Sequence, residues 1–132
     1  MILDTSALIA MLTNEEDGDA LSRVLDEQTV VRMSAASYLE TSIVMDAHRD
    51  AALSARLDEM TLDAEIVIEP VTVEQARIAR QAYRDYGKGS GHKASLNFCD
   101  CFSYALAREK REPILYKGDD FGYTDLRSAL KG

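Results

Sequence analysis

Four short apolar runs punctuate this chain: Ile2-Leu3, Thr29-Val30-Val31-Arg32-Met33, Glu65-Ile66-Val67-Ile68 and Ile114-Leu115-Tyr116. Two segments of helical periodicity separate each run from the next, so the order reads β-α-α-β-α-α-β-α-α-β. Strands separated by helices cannot pair as hairpins. They must be laid side by side by crossover connections, which makes neighbours parallel. The expected fold class is therefore α/β, a three-layer α/β/α sandwich with a short, mainly parallel sheet. The helices are expected over Ser6–Leu12, Asp17–Glu27, Ser34–Ala47, Ala52–Met60, Val73–Tyr86 and Asn97–Lys110, with a short helical tail over Leu126–Leu130. Ala20, Leu21, Val24 and Leu25 share one face of the second helix, and Ile78, Ala82 and Tyr86 form a stripe on the fifth. Gly87-Lys88-Gly89-Ser90-Gly91 reads as the only flexible stretch, too short to divide domains and lacking the Lys-Ser/Thr of a P-loop. Residues 1–132 are read as a single domain.

Hydrophobic content of 46% and charged content of 29% are those of an ordinary globular protein. No apolar run approaches the ~18–20 residues of a membrane span. A strand at the very start leaves no room for a secretory leader, and the expectation is a cytoplasmic protein. Cys99 and Cys101 are two residues apart in a helical pattern and face different directions. They are expected to be reduced, forming neither a disulfide nor a zinc site. His48 and His92 stand apart from any nucleophile, and no Ser/His/Asp or Cys/His arrangement is visible.

The acids carry the chemistry. Asp4 directly follows the first strand, Asp119-Asp120 follow the fourth, and Glu40 and Asp100 fall just inside helix starts. In a parallel sheet the site lies beyond the carboxyl ends of the strands, where these positions converge. Clustered carboxylates repel one another unless a divalent cation neutralises them. The pattern thus points to an acidic Mg²⁺ or Mn²⁺ site and to metal-assisted phosphodiester hydrolysis. Each acid also has a plain structural reading. Asp4 suits a helix N-cap. Glu40 three residues after Ser37, and Asp100 three after Asn97, match capping pairs. Gly118-Asp119 suits a turn.

A net charge of −8 argues against a nucleic-acid partner only superficially. Residues 1–70 hold 15 acids and 4 bases, whereas residues 71–132 hold 8 acids and 11 bases. Arg77, Arg80, Arg84, Lys88 and Lys93 lie in a strip with a single acid, Asp85. Arg77, Arg80 and Arg84 share one helix side, and read either as a phosphate-tracking stripe leading through Lys88 and Lys93 to the site or as a solvated face.

Four blocks carry a resemblance: Ile2-Leu3-Asp4-Thr5-Ser6-Ala7-Leu8, Met33–Glu40, Leu96–Ala107 and Leu115-Tyr116-Lys117-Gly118-Asp119-Asp120-Phe121. In order and spacing they resemble the PIN-domain ribonucleases, specifically the VapC-type toxins of bacterial toxin–antitoxin pairs, over essentially the whole chain. The resemblance implies a PIN-like fold and a toxin that is a Mg²⁺-dependent endoribonuclease, with Mn²⁺ as the alternative ion. It implies that Asp4, Glu40, Asp100 and one of Asp119 and Asp120 bind the metal. Asp120 is the better match and Asp119 a further ligand. Ser6 is implied to orient the Asp4 carboxylate or a ligand water. A homodimer and a small VapB-like antitoxin, whose tail blocks the pocket, are implied as partners. Relatives usually carry Gly where this chain has Cys99, which adds a side chain beside the site. Two rival classes remain: a non-catalytic acidic α/β interaction module with a structural metal, and a phosphatase-like enzyme with an aspartyl nucleophile. The second usually needs an Asp two residues after the first, where Ser6 stands.

Overall fold

The computed structural model describes residues 1–130. Four strands, β1 (Ile2–Leu3), β2 (Arg32–Ser34), β3 (Val67–Glu69) and β4 (Ile114–Leu115), form one sheet in the order β3-β2-β1-β4. Every pairing is parallel. The helices are α1 (Thr5–Leu12), α2 (Gly18–Asp26), α3 (Ala35–Ala47), α4 (Ala51–Asp63), α5 (Val73–Tyr86) and α6 (Asp100–Lys110), followed by a 3₁₀ turn at Asp120–Tyr123. Among the described residues no helix is long and apolar enough to cross a membrane.

Alternation along the strands divides the core in two. Leu3, Met33 and Leu115 pack with α1, α2 and residues of α3 and α4 on one face of the sheet. Ile2 and Ile114 pack with Ala82 of α5 and with Tyr104, Leu106 and Ala107 of α6 on the other. Successive side chains of a strand point to opposite faces. Asp4, two residues beyond Ile2, is thereby directed toward the α6 side.

Four sequence expectations change, the simplest being that the helix expected from Asn97 begins at Asp100. The β-branched run Thr29–Met33 is strand only from Arg32, because register is set by pairing Arg32 with Ile2 and Val67. Helix α4 runs on to Asp63, and Glu65, at φ 50°, turns the chain into a strand that starts at Val67 instead of Glu65. The expected helix at Leu126–Leu130 is irregular chain that makes one β-bridge. Ser128 bridges Ile114 in parallel, Ile114 N–H donates to the Arg127 carbonyl (3.0 Å), and Ala129 N–H donates to the Ile114 carbonyl (2.8 Å). The open edge of β4 offers unpaired backbone groups, and covering them outweighs one isolated helical turn.

The glycine-rich stretch is also more fixed than its composition implies. Gly87 is buried and bridged to Leu96, and Lys88 N–H donates to the Leu96 carbonyl at 2.8 Å. A Cβ on Gly87 would lie 2.2 Å from the Tyr83 carbonyl oxygen and 2.7 Å from its ring, whereas one on Gly89 would meet nothing. Gly87→Ala should therefore cost about 1–3 kcal/mol by overpacking and Gly89→Ala almost nothing. Denaturant melts of the two variants check this, and equal midpoints would refute it.

Candidate metal centre

Helices α3 and α6 both begin at the carboxyl edge of the sheet, α3 directly after β2 and α6 because it returns antiparallel to the strands. That edge therefore receives Asp4 from the end of β1, Glu40 from the second turn of α3, Asp100 from the first turn of α6, and Asp120 from the turn after β4.

Asp4 is the most confined of these, at 3% exposure. Its Oδ2 accepts from the Ser6 backbone N–H (3.0 Å) and the Ser6 hydroxyl (2.6 Å), and its Oδ1 accepts from the Ser103 hydroxyl (2.6 Å). Asp4 thus caps α1 and also faces the site. A carboxylate has about four lone-pair positions, so three donors leave it fixed with about one to offer. Ser6 Oγ in turn accepts from the Lys117 N–H (3.0 Å), tying the end of β1 to the loop after β4. Burial raises the Asp4 pKa above the usual carboxylate range, the Ser103 and Ser6 hydrogen bonds oppose this, and the Glu40 charge adds to it.

Asp100 and Asn97 form the reciprocal cap legible in the sequence. Asn97 N–H donates to Asp100 Oδ2 and Asp100 N–H to Asn97 Oδ1, each at 2.9 Å. Oδ1 of Asp100 is left for the pocket. Burial, followed by the charges of Asp4, Asp120 and Glu40 against the Asn97 hydrogen bond, pushes its pKa up to about 6. Of the adjacent acids, it is Asp120 whose charge acts on Asp100. Asp119 and Asp120 are both exposed, and the Asp119 carbonyl accepts from Gly122 N–H in the turn. The capping reading of Glu40 does not hold. Ser34 caps α3, through Ala36 N–H at 3.2 Å, and Ser37 instead bonds Ser103 Oγ at 3.0 Å.

Sequence reasoning missed Ser37 and Ser103. Only the i, i+3 spacing of Asp100 and Ser103, which puts both on one side of α6, could have flagged the second. Cys99 and Cys101 are both free thiols. Burial, and then Glu40 beside it, push the Cys99 thiol up to about 11, so its sulfur stays protonated at neutral pH.

Among the described residues no three His, Cys, Asp or Glu side chains close to a cage around one point. The donor set nevertheless fits a hard cation. Oxygen ligands suit Mg²⁺ or Mn²⁺, and Mg²⁺ in particular keeps several waters and takes only one or two carboxylates directly. The charge coupling of Asp4, Glu40, Asp100 and Asp120 is the electrostatic condition that a cation relieves.

The basic strip divides. Arg77, Arg80 and Arg84 are exposed on α5. Lys93 lies over the ring of Tyr123, 4.7 Å from its centroid. Lys88 is exposed in the loop. His92 is spent locally, with Nδ1 accepting from Ala94 N–H at 3.0 Å.

A parallel four-stranded sheet with acids gathered at its carboxyl edge is the arrangement of a PIN domain, and the chain belongs to that family: the PIN domain model matches residues 1–126. Its relatives narrow the class to the VapC ribonucleases. The chain is 57% identical over 130 residues to ribonuclease VapC28 of Mycobacterium tuberculosis, covering 98% of each. It is 45% identical over 129 residues to ribonuclease VapC42 of the same species, again covering 98% of each. The fold is shared with the crystal structure of M. tuberculosis VapC20, a sarcin-ricin loop cleaving toxin, at TM-score 0.71 and 19% identity, covering 95% of each chain. A toxin–antitoxin complex from Klebsiella pneumoniae matches at TM-score 0.68 and 16% identity, covering 91% of this chain and 88% of that one.

Proposed function

We propose that this protein is a Mg²⁺- or Mn²⁺-dependent endoribonuclease acting in the cytoplasm as the toxin of a toxin–antitoxin pair. The observation that carries the reading is the charge-coupled carboxylate set, with Asp4 pinned by Ser6 and Ser103. The printed names of the relatives support the substrate class and the toxin role.

Asp4, Glu40, Asp100 and Asp120 would hold the ion, with Asp119 at the margin as a further ligand. Bound there, a divalent ion lowers the pKa of a water and stabilises charge developing on the scissile phosphate. Asp4, fixed by three hydrogen bonds, supplies an invariant reference point for the phosphate. Glu40 or Asp120, which are less confined, accept the proton of the attacking water. Arg77, Arg80, Arg84, Lys88 and Lys93 neutralise phosphates on either side of the site. A homodimer and a VapB-like antitoxin whose basic tail occupies the acidic pocket belong to the same proposal. Incubating purified, antitoxin-free protein with total RNA, with Mg²⁺ or Mn²⁺ and with EDTA, tests it. Discrete fragments that need the ion support the nuclease. Intact RNA in every arm would leave the interaction module.

The raised Asp100 pKa yields a thermodynamic prediction. Between about pH 4 and 6 the folded state holds the Asp100 proton that the unfolded state has released, so ionisation at higher pH costs stability. Solvent screening of this half-buried group leaves about 1–2 kcal/mol. Asp100→Asn should therefore raise the Tm of the metal-free protein at neutral pH by several degrees. It should do nothing below about pH 4, where both forms are neutral, and should abolish the rise in Tm that Mn²⁺ causes. Scanning calorimetry at both pH values decides the point.

A further inference from the structure

A cavity of about 400 Å³ opens between the last turn of α6 and the tail of the chain. Helix α6 has 11 residues, so this end stands roughly 16 Å from Asp100 at its start. Three arginines line the cavity: Arg108, Arg111 and Arg127. Its two carboxylates, Glu112 and Asp125, are already occupied on both oxygens. Glu112 accepts from the Met1 ammonium (2.5 Å) and from Arg32 Nε (3.1 Å). Asp125 accepts from the Tyr104 hydroxyl and from Arg108 Nη1, each at 2.6 Å. Among the described residues neither Arg111 nor Arg127 pairs with a carboxylate. Both stand on fixed backbone. Arg111 occupies the left-handed turn that ends α6, at φ 56°, where Glu112 N–H donates to the Ala107 carbonyl at 3.1 Å. The Arg127 carbonyl accepts from Ile114 N–H at 3.0 Å, and its Nη2 donates to the Arg111 carbonyl at 3.4 Å.

Two uncompensated guanidinium groups facing one cavity, on a chain whose net charge is −8, are the condition that an anion relieves. Arginine forks bind phosphate bidentately. A terminal phosphate carries nearly two negative charges and three acceptor oxygens, so it matches two forks better than a phosphodiester does. The cavity also has a continuation. A neighbouring one of about 310 Å³ shares Arg108 and Asp125 with it. Ile78, Ala82 and Tyr86 give this second cavity an apolar wall, and Gln81 and Asp85 a polar edge. Each is of a size that holds part or all of a small ligand. The first suits a phosphate and the second a planar ring with polar edges.

We infer that the paired cavities form a binding site for a free nucleotide, with its terminal phosphate between Arg111 and Arg127 and its base against Tyr86. None of the residues lining either cavity belongs to the carboxylate site, so the ligand is a separate one and not the RNA that is cleaved.

The probe is AMP, titrated calorimetrically into the purified protein in EDTA, so that no ion at the acidic pocket can hold the phosphate. One molecule should bind per chain. Inorganic phosphate should bind more weakly through the same arginines, and adenosine should not bind. Arg111→Gln and Arg127→Gln should each lower AMP affinity roughly tenfold, the worth of a charge-assisted contact. Both side chains are exposed and have no ion pair to lose, so the variants should melt with the wild-type protein. Arg80→Ala, on the α5 row, should leave AMP affinity unchanged. Absence of AMP binding, or undiminished affinity in both glutamine variants, would overturn the site. AMP binding no tighter than inorganic phosphate would remove the base from it. Equal binding of the dinucleotide ApA, whose only phosphate is an internal diester, would overturn the terminal-phosphate assignment and give the arginines to an RNA backbone.

Discussion

Asp4→Asn is expected to lower metal-dependent RNA cleavage about 1,000-fold while leaving the protein folded. A directly bound ion supplies several kcal/mol of transition-state stabilisation, and each ~1.4 kcal/mol is a factor of ten in rate. The substitution removes one negative charge from the most confined position in the site. The surroundings tolerate it for a definite reason. The new amide oxygen can still accept from the Ser6 N–H and hydroxyl. The amide nitrogen can donate to Ser103 Oγ, whose own proton then turns to Ser37 Oγ, 3.0 Å away. Burial already disfavours the Asp4 charge, so neutralising it offsets any imperfection in these bonds. Single-turnover cleavage beside circular dichroism melts checks both halves. Activity within tenfold of wild type from a folded Asp4→Asn protein would remove Asp4 from the mechanism.

The sequence carried the order of elements, because alternating two-helix connections leave a parallel sheet few alternatives. It also carried α5 end to end, where Thr72 accepts from Gln75 N–H at 3.1 Å and so fixes the start of Val73–Tyr86. The acids were legible because strand ends and helix starts are local features. Contacts made across the chain were not. Ser103 reaches Asp4 from 99 residues away, and no short-range pattern marks a serine on an apolar helix as the partner of a distant carboxylate. The tail failed for the same reason. Leu126–Leu130 has helical propensity, but the Ile114 edge that captures it lies elsewhere in the sequence. Ser37 was mistaken for a cap because the three-residue spacing to Glu40 is right, yet Ser34 at the end of β2 holds that post. Mutual approach of the acids was legible only as topology. Their separation depends on side-chain placement, which no local pattern in the sequence encodes.

Ser103→Ala should weaken Mn²⁺ binding by about 10- to 100-fold, the usual cost of removing a group that orients a metal ligand. Ser103 is fully buried, and its hydroxyl is the only donor to Asp4 Oδ1 among the described residues. Without it the carboxylate keeps its Ser6 contacts but can rotate about them. It also loses the largest of the hydrogen bonds that oppose burial, so its pKa rises further. Since the ion competes with the proton for the same oxygen, the pH at which Mn²⁺ binding reaches half-maximum should move upward. The buried Oδ1 left without a donor should cost about 1–3 kcal/mol of stability as well. A purely structural role for Ser103 would give that stability loss alone. The discriminating measurement is Mn²⁺ affinity by calorimetric titration across pH, with Ser37→Ala as the control. Ser37 touches Ser103 and not Asp4, so its loss should cost stability while sparing the ion. Saturating Mn²⁺ should restore most of the cleavage rate in Ser103→Ala, because all four carboxylates remain. If affinity and its pH profile stay those of the wild-type protein, the hydrogen bond does not hold Asp4 in its working position.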